Sequence, residues 1–119
     1  MCRTTQVKEY STRKKAEQQL INDVVINAID YYNNELTAGE YYHRVDTCQA
    51  WWKDIINPDT GEVVGTLLIS YNMLVAFTIG GVMYDFLRYV YGYTATSAKH
   101  IAKFRKFTSP TTVYTYRPV

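Results

Sequence analysis

The amino-acid sequence predicts an α+β fold: two N-terminal helices packed on a small antiparallel sheet of three to four strands, with a further helix before the last strand. Three observations lead there. Apolar residues recur every three or four positions through the first half of the chain. A β-branched, leucine-rich run follows Gly61, and the Gly80-Gly81 pair then separates two more apolar runs as a hairpin turn would. A chain of 119 residues is one domain, taken to span residues 12–119 behind a loose polar segment, 1–11.

The first helix begins near Thr12. Ala16, Leu20, Val24 and Ala28 fall on one line, with Ile21, Val25, Ile29 and Tyr32 beside it, giving a wide apolar face. Arg13-Lys14-Lys15 stands where the helix dipole disfavours positive charge, so these side chains either point into solvent or meet an anion. Asn33-Asn34 weakens helix propensity and marks the end. A second helix is predicted from Thr37-Ala38-Gly39-Glu40, which has the capping-box spacing of a Thr cap and a Glu three residues on. Tyr41, Val45, Cys48, Trp52 and Ile55 then form one face, and Pro58-Asp59-Thr60-Gly61 turns the chain.

Strands are predicted over 62–71, 73–79 and 82–91, the last with Met83, Leu87, Tyr89 and Tyr91 on one face and Tyr84, Phe86, Arg88 and Val90 on the other. Both faces are apolar or aromatic, so that strand is either covered on two sides or presents rings to a partner. Cap candidates at 94–97 open a third helix to about Phe107, with Ala98, Ile101 and Phe104 inward and Lys99, Lys103 and Lys106 outward. Residues 111–117 alternate as a final strand.

The net charge of +2 is unevenly distributed. Residues 1–15 carry five cations against Glu9; residues 16–85 carry ten acids against Arg44 and Lys53; after Asp85 come six cations and no acid. Such blocks imply a positive and a negative pole, or poles that compensate one another across the fold. The sequence begins on a polar, basic segment, and no window approaches the roughly 20 apolar residues of a membrane span. Cys2 and Cys48 make no disulfide framework, so the expected location is the cytoplasm.

Catalytic signals are weak. His43 and Asp46 would share a helix face, as an oriented base requires, but such pairs arise readily on surface helices. His100 is expected to pack or make a hydrogen bond at the sheet edge. Without a Cys-x-x-Cys or a histidine cluster, neither a zinc site nor any cofactor is expected. Gly80-Gly81 and Gly92 lack the strand-to-helix spacing of a phosphate loop. The stronger signal is a contact surface made of Tyr89, Tyr91, Tyr93, Lys99, Lys103, Arg105 and Lys106, in which lysines meet phosphates and tyrosines stack on bases or dock on a protein.

Ser70-Tyr71-Asn72, Val75-Ala76, Gly80-Gly81, Tyr84-Asp85, Tyr93-Thr94-Ala95-Thr96-Ser97, His100-Ile101 and Lys103-Phe104 form an ordered string over about a third of the chain. It resembles a group of small uncharacterised proteins encoded by phages and mobile elements of Gram-positive bacteria. The resemblance implies a non-enzymatic accessory product in the cytoplasm of the bacterial host and carries no catalytic residues with it. Accessory proteins of this size include anti-CRISPR inhibitors. The expected function is therefore binding and inhibition of a host defence macromolecule, with a CRISPR effector nuclease as a candidate partner. The alternative is a small nucleic-acid-binding protein using the basic helix 97–107, and both a monomer and a homodimer fit the two apolar sheet faces.

Overall fold

In the computed structural model, which describes residues 7–45, 49–92 and 94–119, the chain runs β1 (Lys8–Tyr10), α1 (Lys15–Glu35), β2 (Thr37–Arg44), β3 (Ala50–Ile56), β4 (Val63–Ser70), β5 (Met73–Ile79), β6 (Val82–Asp85), α2 (Leu87–Val90), α3 (Ala95–Thr108) and β7 (Thr112–Thr115). One mixed sheet holds all seven strands in the order β1-β7-β6-β5-β4-β3-β2. Strands β2 to β6 form an antiparallel meander, while β7 pairs parallel with β6 and β1 parallel with β7. Parallel pairs need a crossover, and α3 supplies the one between β6 and β7.

This corrects the expected two N-terminal helices on a three- to four-strand antiparallel sheet. The predicted second helix is instead the β2–β3 hairpin. Its misleading periodicity comes from the aromatic and aliphatic doublets Tyr41-Tyr42, Trp51-Trp52 and Ile55-Ile56. One member of each doublet falls into a helical spacing by chance, whereas a strand sends the two members to opposite faces. Aromatic and β-branched residues also favour strands over helices. The predicted strand 82–91 is corrected as well. It stops at Asp85, whose Oδ1 accepts the Leu87 N–H at 3.2 Å, and this local turn starts the short helix α2. Within the segment expected to be loose, Lys8–Tyr10 pairs with β7, and residues 1–6 lie outside the described residues. The Gly80-Gly81 hairpin, the third helix and the final strand occur where predicted, both glycines having positive φ.

The sheet lies between two helices. Beneath α3 sit Leu68, Ala76, Met83, Ile101, Phe104 and Val113; beneath α1 sit Val25, Leu36, Ile55, Leu67, Phe77 and Phe86. Helix α1 connects one edge of the sheet to the other. Its 21 residues give a length of about 31 Å, close to the roughly 29 Å of six strand spacings. Of its two apolar lines the second is turned to the sheet, while in the first only Ala28 packs on the core and Leu20 is 68% exposed. Tyrosines form a ring ladder across the α1 face: Phe77–Tyr84 at 5.6 Å, Tyr84–Tyr114 at 5.8 Å and Tyr114–Tyr10 at 4.7 Å. Gly65 in β4 allows β5 to approach closely, since a Cβ there would lie 1.9 Å from the Thr78 carbonyl oxygen.

Candidate functional site

Helix α3 is the best-specified element of the chain. The Thr94 hydroxyl caps it by accepting the Ser97 N–H at 3.2 Å, Ser109 closes it in the left-handed region, and Arg105 and Lys106 lie at its negative end. Ile101 and Phe104 anchor it on the sheet. Lys99, Lys103 and Lys106 lie on its outer side, and Phe107 is 48% exposed.

The 42–44/51–53 end of the β2–β3 hairpin is only partly covered. Tyr41, Tyr42 and His43 are exposed there, and Trp51 and Trp52 are half-buried. The Trp52 ring is stacked on His43 at 4.2 Å and tilted against Phe107 at 5.0 Å, which brings the hairpin against the end of α3. Between them is a cleft of about 470 Å³ lined by Arg44, Val45, Trp52, Lys103, Lys106 and Phe107. Arg44 forms its rim, with the guanidinium 6.0 Å from the centre of the Trp51 ring. A floor of flat rings beside two ammonium groups can hold a planar group and pair with its anionic substituents.

The structure divides the predicted contact residues. Lys103 and Lys106 meet in the cleft, while Lys99 lies on the same helix outside its lining. Arg105 turns to β1, where its Nη1 donates to Glu9 Oε1 at 2.6 Å. Tyr89 and Tyr91 are not on a strand beside the lysines: they belong to α2 and its end. Tyr89 packs on Tyr116 at 4.9 Å, in the layer beneath α1 and across the sheet from the lysines. Tyr93 lies outside the described residues, as do Asp46, Cys2 and Cys48. The expected helical pairing of His43 with Asp46 fails because His43 is on a strand. Trp52 and Phe107 are absent from the predicted contact surface, and His43 enters the reading only as a candidate base; the Trp51-Trp52 doublet signals a ring here, since in a strand one of two adjacent tryptophans must face each side.

Ser70, Ser97 and His100 meet in a buried corner between β4 and α3. Ser70 Oγ lies 2.8 Å from His100 Nδ1 and 3.0 Å from Ser97 Oγ, and the Tyr71 ring sits 5.5 Å from the imidazole. A serine hydroxyl on an imidazole is the start of a nucleophilic site, but Ser70 is 0% and His100 3% exposed, so no substrate reaches the pair. The cluster instead fixes α3 to the β4–β5 hairpin, whose turn residues Tyr71 and Asn72 both have positive φ. Burial, with Lys103 nearby, holds the His100 imidazole below its ordinary pKa and so neutral.

Among the described residues no group of three or more His, Cys, Asp or Glu could hold a metal ion, and no helix is long and apolar enough to cross a membrane. No protein-family model, curated protein or solved structure matches the chain.

Proposed function

We propose that this chain works by binding, without catalysis, and that its principal ligand is a single-stranded nucleic acid held in the cleft between α3 and the β2–β3 hairpin. One observation carries the reading: Lys103 and Lys106 line the same cleft as the Trp52 and Phe107 rings. A strand supplies both complements, flat bases for the rings and phosphates for the ammonium groups. The acids of residues 16–85 do not all oppose it here, because Glu17, Asp23, Asp30 and Glu35 lie on α1 across the sheet.

The test is binding of a fluorescent single-stranded oligonucleotide over a salt series. Affinity falls linearly on a log–log plot, and Lys103→Glu with Lys106→Glu lowers the slope by about 1.4, at roughly 0.7 for each phosphate no longer neutralised. Trp52→Ala weakens binding by about 1–3 kcal/mol. Absence of binding at low salt, or an unchanged slope in the charge-reversed variant, refutes the reading.

A second reading follows from α1. Its outer side combines exposed Leu20, Val24 and Tyr31 with Asp23 and Asp30, an acidic amphipathic surface suited to a basic channel. Together with the phage-protein resemblance, this supports an accessory inhibitor of a host defence macromolecule in the bacterial cytoplasm, a CRISPR effector nuclease being the candidate partner. Cleavage assays with and without the protein test it. Inhibition that survives Leu20→Ala with Tyr31→Ala would remove α1 as the contact.

A further inference from the structure

The basic residues at the start of α1 are exposed, and two of them border a cleft. Arg13 and Lys15 line one cleft of about 410 Å³ together with Arg88 and Arg117. These residues are far apart in sequence, coming from the segment that enters α1, from α2 and from the tail after β7. Buried side chains hold those segments in place. Gln18 Oε1 accepts the Thr12 N–H at 2.8 Å, while its Nε2 donates to the Thr115 carbonyl at 2.9 Å. Asn22 donates to the Arg117 carbonyl at 2.7 Å and accepts the Arg117 N–H at 3.0 Å. The Arg117 guanidinium is further tied to the Ser11 hydroxyl. Asp85 is a half-buried carboxylate with Arg88 and Arg117 as charged neighbours, and Glu17 pairs with Lys14 at 3.8 Å on the exposed side. Four cations therefore line one cleft.

Like charges gathered on a pre-organised frame create a positive potential that an anion relieves. Three guanidinium forks suit phosphate oxygens, and four cations suit a ligand carrying several negative charges better than a single carboxylate. We propose that this cleft is a polyphosphate-binding site, taking the triphosphate group of a nucleotide or an inorganic polyphosphate. It is independent of the α3 cleft, which carries neither these residues nor this frame.

The test titrates the whole chain with inorganic tripolyphosphate and, separately, with ATP, following backbone amide shifts by NMR. The expected result is a saturable shift centred on Thr12, Gln18, Arg88 and Arg117, with a dissociation constant below about 1 mM. Arg13→Gln with Arg117→Gln weakens it at least about tenfold, while Lys103→Glu with Lys106→Glu leaves it unchanged. Tighter binding of ATP identifies a nucleotide as the source; equal binding identifies the polyphosphate alone. The wild-type titration decides the matter even where the double variant fails to fold: no saturable shift, or shifts centred on the α3 lysines, overturns the site. Loss of oligonucleotide binding in the α3 variant has no bearing on this outcome, so the two readings fail separately.

Discussion

Helices α1 and α3 cover opposite faces of one sheet, yet they are held by different means. Helix α3 has a threonine cap, basic residues at its negative end, and Ile101 and Phe104 buried among apolar neighbours. Helix α1 makes no side-chain cap hydrogen bond, starts among cations, and buries Gln18 and Asn22 beside Val25. Those two side chains form a polar clamp on the backbone of Thr12, Thr115 and Arg117. The charges differ too: α3 carries Lys99, Lys103, Arg105 and Lys106 without an acid, while α1 carries Lys15 against Glu17, Asp23, Asp30 and Glu35. The comparison teaches that an apolar stripe locates a helix only where apolar contact is what seats it. In the first half of α1, specific hydrogen bonds seat the helix, and the apolar Leu20 is left outside.

The largest difference should appear in stability. Phe104→Ala removes the ring that anchors α3 and is expected to destabilise the fold by about 3–5 kcal/mol in urea denaturation. Val25→Ala, at the apolar anchor of α1, should cost only about 2 kcal/mol. Equal costs would mean that both helices depend on apolar burial to the same degree. Asn22→Leu sharpens the point, because it keeps the branched shape but strands the Arg117 N–H and carbonyl. A destabilisation of about 2–3 kcal/mol, with faster hydrogen exchange at Arg117, is expected. A neutral Asn22→Leu would show that the clamp is incidental to the seating of α1.

These contrasts also explain which elements are legible in the sequence. The Gly80-Gly81 turn, α3 and β7 are readable because local chemistry and tertiary packing agree there. Residues 37–56 mislead because doublets such as Trp51-Trp52 satisfy both helical and strand spacing, and only the neighbouring β4 decides between them. The β1–β7 pairing leaves no local trace, since it joins residues about a hundred positions apart through three-residue strand contacts. At the candidate site the lysines are visible as a stripe at spacings of four and three, whereas Trp52 joins them only through the fold. Tyr89 shows the reverse case, being near the lysines in sequence but on the other side of the sheet.

That separation gives a smaller, more selective prediction. Phe107→Ala removes a ring from the cleft and should weaken oligonucleotide binding by about 1–3 kcal/mol, with little change in stability because the ring is half exposed. Tyr89→Ala should leave the affinity unchanged, since its ring lies in the α1 layer. Fluorescence anisotropy at fixed salt measures both. Equal weakening by the two variants would place the strand around the sheet edge instead of in the α3 cleft.

The smallest effect concerns how α3 is latched. His100 is held neutral by burial and by Lys103, so its folded pKa lies below the ordinary 6.5. As the pH falls below about 6.5, the unfolded chain takes up a proton that the folded chain refuses. Stability contributed by the neutral imidazole is therefore fully present above that pH, and declines until the folded pKa is passed. Asp85 acts in the opposite sense: burial raises its pKa, so its folded form gains a proton first on acidification and recovers stability. The two can be separated with His100→Asn, which retains a polar atom near the Nδ1 position facing Ser70 but does not titrate. The wild type should lose stability relative to this variant as the pH falls below about 6.5 in parallel urea titrations. Parallel curves below that pH would mean that a neutral imidazole is not needed to latch α3.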